Sequence, residues 1–94
     1  MSAYLIAEID VHDAAEYAAY TAQTPALVAR HGGRFIVRGG NAESLEGEWS
    51  GRIAVMEFPN REALNAFWND PDYRAIVGIR HAHAEGRIVA VDGV

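Results

Sequence analysis

No cysteine and no lysine occur among the 94 residues, and prolines number only three. Without cysteine there is no disulfide to brace so short a chain, no thiol nucleophile, and no cysteine-held zinc or iron–sulfur site; the composition fits a reducing compartment. Without lysine, the eight basic side chains are all arginines, set against 13 acidic ones for a net charge of −5. No positive stripe is available to displace counterions from phosphates, so neither nucleic acid nor an anionic membrane surface is an expected partner. Arginine can still hold one small carboxylate or phosphate through its bidentate fork. No apolar run approaches the roughly 20 residues that cross a bilayer. The opening Met1-Ser-Ala-Tyr-Leu-Ile-Ala-Glu8 lacks the basic start and long apolar centre of a signal peptide. A cytoplasmic protein is expected.

Several chemistries lack their motifs. Ser2, Ser44 and Ser50 sit in no nucleophile elbow. Gly39-Gly40 alone is a turn, and no Walker loop or dinucleotide fingerprint is present, so no cofactor is expected. His81 and His83 would point to different sides of a helix, and His12 of Glu8-x-Asp10-x-His12 falls at the solvent end of its strand. Neither matches the two-histidine helical spacing of a zinc protease, and no metal is expected. His81, beside Arg80, remains a candidate proton carrier.

What is present is a clear alternation of elements. Ala3–Val11 reads as a strand with Leu5, Ala7, Ile9 and Val11 on one face and Tyr4, Ile6, Glu8 and Asp10 on the other. Asp13-Ala-Ala-Glu16 has the spacing of a capping box and opens a helix whose inner stripe is Tyr17, Tyr20, Thr21, Thr24 and Val28. Pro25 predicts a kink or break within it, and Gly32-Gly33 its end. Arg34–Arg38 and Arg52–Phe58 are strands, joined by a Gly- and Glu-rich connection, Gly39–Gly51, longer than a tight hairpin needs. That connection reads as a partly mobile rim anchored by Trp49. Pro59-Asn60 caps a second helix with Leu64, Phe67 and Trp68 inward. Asp70-Pro71 restarts a helix carrying Tyr73, Ile76, Val77 and Arg80, and Glu85–Asp92 is the last strand.

The order β-α-β-β-α-β is the split βαβ pattern, and it predicts one α+β domain over residues 1–94 with a ferredoxin-like four-stranded antiparallel sheet. Both helical arms should cover one face, over Leu5, Ala7, Ile9, Phe35, Val37, Ile53, Val55, Ile88 and Ala90. The other face then collects Tyr4, Ile6, Ile36, Ala54, Met56, Phe58, Val89 and Val91 together with Glu8, Asp10, Arg34, Arg38, Arg52 and Arg87. It is too apolar for water and too charged for a dry core, which points to a homodimer interface.

Ala3-Tyr4, Tyr17, Tyr20 with Pro25, the run Gly32-Gly-Arg-Phe-Ile-Val-Arg-Gly-Gly40, Leu45-Glu-Gly-x-Trp49, Glu57-Phe-Pro59, Asp70-Pro-x-Tyr73 and Arg80 together resemble the small bacterial family called domain of unknown function 1330. The resemblance spans nearly the whole chain; the combination is specific, although no single motif is. It implies a dimeric α+β barrel, similar in build to cofactor-free monooxygenases, muconolactone isomerases and haem-degrading enzymes. It implies no activity, and one borrowed from relatives of the fold is analogy alone.

Among individual residues, Glu57 stands out. Following Ile53 and Val55 on the face assigned to the helices, its carboxylate would be desolvated and its pKa raised, as a general acid or base requires. The structural alternative is a strand-end carboxylate bonded to an arginine. Arg38 and Arg52 read either as an anion clamp or as partners in salt bridges to Glu8, Asp10 or a second subunit. Tyr20, Trp49 and Trp68 are candidate pocket walls with polar atoms to satisfy, and Arg80 a candidate balancing cation. Three functional readings follow: a cofactor-free enzyme acting on a small, partly aromatic or acidic metabolite; a non-catalytic small-molecule-binding module; and a structural or regulatory dimer without a pocket.

Overall fold

The computed structural model describes residues 1–94. The elements run β1 (Ala3–Val11), α1 (Ala14–Thr21), α2 (Thr24–Arg30), β2 (Arg34–Arg38), β3 (Arg52–Phe58), α3 (Arg61–Trp68), α4 (Pro71–His83) and β4 (Ala84–Asp92). Local chemistry sets most of the boundaries. The Asp13 carboxylate accepts from the Glu16 amide and starts α1, and Asn60 does the same for α3 through Ala63. Asp70 caps α4, with Pro71 supplying the preset φ of a first helical residue. Pro25 falls in the first turn of α2, so the first helical arm breaks after Thr21 instead of bending.

The strands form one antiparallel sheet in the order β2-β3-β1-β4, the ferredoxin-like arrangement, with all the helices on one face. The core lies between them. Ala3, Leu5, Ala7 and Ile9 of β1 meet Leu27, Val28, Leu64, Phe67, Tyr73 and Ile76 from the helices.

The register corrects the facing of β3. Leu5 pairs with Met56, Ala7 with Ala54 and Ala3 with Phe58, so Ala54, Met56 and Phe58 share the helix side with Leu5. Ile53, Val55 and Glu57 share the open side with Glu8, Ile6 and Tyr4. Both alternating sets of β3 are apolar enough to bury, and a one-residue change of facing inverts every side chain. The larger Phe58 and Met56 enter the core, and Glu57 keeps access to water.

β2 is corrected in part. Phe35 opposes Met56 on the helix side as expected, but a β-bulge at Ile36 shifts the register so that Val37 opposes Val55 and Arg38 opposes Ala54. Val37 therefore turns to the open face and Arg38 to the helix side. On the open face, Val37, Val55, Ile6 and Val89 stand in one row across all four strands. On either side of that row the charges are matched within the chain, Arg34 to Glu57 at 3.0 Å and Arg87 to Glu8 at 3.3 Å.

Candidate functional site

Where α1 and α4 cross the sheet, the two layers do not close completely. They leave a mostly apolar cavity of about 50 Å³. Its floor is Leu5, Ala7 and Ile9 of β1 with Ala54 and Met56 of β3. Tyr17 and Tyr20, one helical turn apart on α1, form one wall, their rings 5.2 Å apart. Tyr73 and Arg80, two turns apart on α4, form the wall opposite. Arg38 and Arg52, at facing ends of β2 and β3, and Thr21 and Thr24 also line it.

Tyr20 and Tyr73 join the walls through their hydroxyls, 2.8 Å apart. Burial pushes the Tyr20 hydroxyl far above the ordinary tyrosine range, and its Tyr73 neighbour adds to the effect. Tyr17 is raised as well, chiefly by burial, with Arg80 and Arg52 acting in the opposite direction. Raised in this way, the Tyr17 and Tyr20 hydroxyls hold their protons and serve as hydrogen-bond donors and acceptors. Arg80 is only 9% exposed, and its guanidinium carbon lies 6.0 Å from the Tyr20 ring centre. Arg38 donates from Nη2 to the Thr21 carbonyl at 2.9 Å, tying the end of α1 to β2, and stacks over Phe35. Neither Arg38 nor Arg52 pairs with a carboxylate, so the salt bridges expected for them on the open face do not form.

Of the residues singled out from sequence, the fold brings Tyr20, Arg38, Arg52 and Arg80 together at this cavity, and leaves Glu57, His81, Trp49 and Trp68 outside its lining. Glu57 lies on the opposite side of the sheet, where it accepts from Arg34 at 3.0 and 3.1 Å and from the Tyr4 hydroxyl at 3.1 Å. The Arg34 hydrogen bonds, helped by Tyr4, hold its carboxyl below the usual range, opposite to the upward shift expected from sequence. His81 is exposed on the last turn of α4. Trp49 is 56% exposed; its indole N–H donates to the Glu46 carbonyl, and the open-face residue Arg87 lies 5.9 Å from its ring. Trp68 packs on Tyr73 and walls a separate shallow depression with Leu64 and Ile88.

The sequence does not single out Tyr73 as the partner of Tyr20, for the two are 53 positions apart. The available signal was that two buried phenols each need a polar partner.

A model of the family described as Domain of unknown function (DUF1330) matches residues 2–94. The chain belongs to the DUF1330 family. No curated protein matches it significantly. Among solved structures, this DUF1330 chain is similar to a protein of unknown function from Rhodopseudomonas palustris, with TM-score 0.80 and 21% identity over 99% of this chain and 82% of that one. It is also similar to a dimeric ferredoxin-like protein of unknown function from Jannaschia sp. CCS1, at TM-score 0.78 and 14% identity, covering 99% of this chain and all of that one. A variant of SnoaB, a cofactor-independent oxygenase from Streptomyces nogalater, matches at TM-score 0.71 and 20% identity over 98% of this chain and 92% of that one. These likenesses establish the ferredoxin-like fold. No helix of the DUF1330 chain is long and apolar enough to cross a membrane.

Proposed function

We propose that this DUF1330 protein binds a small, partly apolar metabolite in the cavity between its helices and its sheet. The observation that supports this reading best is the cavity's construction. Apolar side chains form the floor, tyrosines from two separate helical arms form the walls, and a few polar groups converge on the space, as in small-molecule sites generally. A thermal-shift screen of metabolites on the pure protein, with mass spectrometry of what binds, tests it. Hits should disappear in Ala54→Leu, which fills the floor with a larger apolar group. Hits that survive this change place the ligand elsewhere.

Binding stands ahead of catalysis because no carboxylate and no imidazole lines the cavity, so a general base is missing from it. The catalytic reading keeps one support. SnoaB, of the same fold, is a cofactor-independent oxygenase, and a substrate acidic enough to ionise beside Arg80 needs no strong base from the protein. Product formation from a screened ligand under air, absent under nitrogen, would select that reading.

The unit of function is proposed to be a homodimer of one domain, residues 1–94, joined through the open sheet face. The exposed aliphatic row supports this, as does the dimeric neighbour from Jannaschia.

A further inference from the structure

We infer that the ligand of this cavity is a carboxylate, held head-first by Arg80, with an apolar or aromatic body. The inference rests on the cavity being a ligand site and adds the class of ligand. It comes from counting donors and acceptors. The Arg80 Nε–H is buried without an acceptor, and no carboxylate pairs with the guanidinium. The partial negative charge at the end of α4 eases burial of that cation but gives Nε nothing to bond. Tyr20 and Tyr73 hold two hydroxyl hydrogens between them. Their mutual bond uses one, and the other has no partner. The lining threonines accept from none of these groups, and their own hydroxyls add two more donors, directed to the Ala18 and Thr21 carbonyls.

The cavity thus holds an excess of donors. Its charged lining residues are Arg38, Arg52 and Arg80, with none of the chain's 13 acidic residues among them. An ionised carboxylate is an acceptor-only group with two oxygens, so it complements a surplus of this kind. A carboxamide brings two donors of its own and no charge for the guanidinium.

Size adds a second constraint. An apolar cavity of about 150 Å³ admits a benzene ring, so the inner space of about 50 Å³ takes a head group and not a ring. Tyr17, Thr21 and Arg52 also border an outer depression of about 190 Å³, closed on its other side by Val11, Ala14 and Ala18. A ligand with its carboxylate at Arg80 and a flat apolar body passing Tyr17 would fill both. Arylacetic acids have this shape.

The test is an amide-resolved NMR titration of the full chain with phenylacetate, with its neutral isostere phenylacetamide, and with inorganic phosphate. Phenylacetate should shift the amides of Tyr20, Ala54 and Tyr73 and bind at least about tenfold tighter than phenylacetamide, as a charge-assisted hydrogen bond at a buried site implies. Arg80→Met should remove that preference. It should also melt no earlier than the parent when ligand-free, because it deletes an uncompensated charge. Equal binding of acid and amide, or a preference for phosphate, would overturn the carboxylate inference while leaving the cavity a ligand site. Shifts confined to residues away from the cavity would overturn both readings. The acid-to-amide comparison uses the unmodified protein and stands however well the variant folds.

Discussion

The hydroxyls of Tyr20 and Tyr73, 53 positions apart in the chain, meet at 2.8 Å in the interior. This bond links α1 to α4 over the cavity. Removing either hydroxyl leaves the other buried and unsatisfied. Tyr20→Phe and Tyr73→Phe should each cost about 1–2 kcal/mol, and the double variant clearly less than their sum. Urea unfolding of the four proteins measures the coupling. Strictly additive losses would show that the two hydroxyls do not depend on each other.

Glu57→Gln separates the two sides of the sheet. It weakens the links to Arg34 and Tyr4 on the open face and touches nothing in the cavity. A modest fall in melting temperature with unchanged ligand affinity is the expected pair of results. Loss of binding in a protein that melts like the parent would return Glu57 to the site.

Asp70 confers an acid dependence. Its carboxyl accepts from His31 at 2.7 Å, the Asp72 amide at 2.8 Å and Arg30 at 3.0 Å. With His31 the largest cause, these bonds pull it from 3.8 down to about 2. The folded value lies below the unfolded one, so the contribution is fully present above about pH 4 and is lost as pH falls toward 2. Denaturation midpoints measured from pH 6 to pH 2 should fall less steeply in Asp70→Asn than in the parent. Parallel curves would show that the carboxyl carries no linkage.

The open face makes a prediction about assembly. Val55 stands in the middle of the aliphatic row, between Val37 and Ile6. In Val55→Asp a charge without a partner would be buried at the proposed interface, so the variant should run at one chain mass by light scattering where the parent runs at two. A parent that is monomeric at micromolar concentration would end the dimer reading.

Gly51 tests the turn into β3. Its φ is +80°, and a Cβ there would run into the Ile9 carbonyl oxygen. Gly51→Ala should cost more than about 1 kcal/mol, read from urea unfolding, because both the backbone conformation and the contact oppose it. A neutral result would mean that the turn has room to shift.

Much of this fold is legible in the sequence, and the reasons are local. Asp13, Asn60 and the Asp70-Pro71 pair announce helix starts through their own side-chain chemistry, and β1 has one purely apolar face. The facing of β3 is not legible in the same way. Ile53 and Val55 alternate with Ala54, Met56 and Phe58, and apolarity alone does not rank the two sets. The partner strand decides, since Leu5 brings Met56 with it. The bulge at Ile36 is equally silent, and it carries Arg38 to the cavity side, where the alternation of β2 would have put it on the open face. For the site, Tyr20, Arg38, Arg52 and Arg80 could be named as residue types with unmet needs. Their meeting with one another and with Tyr73 depends on tertiary contacts across more than one element.

The bulge in β2 has a bearing on how copies of this chain can associate. β2 is an edge strand, and a flat edge with free amides and carbonyls invites another chain to add on and continue the ladder. With five residues interrupted by a misregistered Ile36, this edge presents no straight run for a new strand to follow. Growth by strand addition is hindered on that side, and under the proposed dimer it is the broad open face, not this edge, on which two copies would meet and close as a pair.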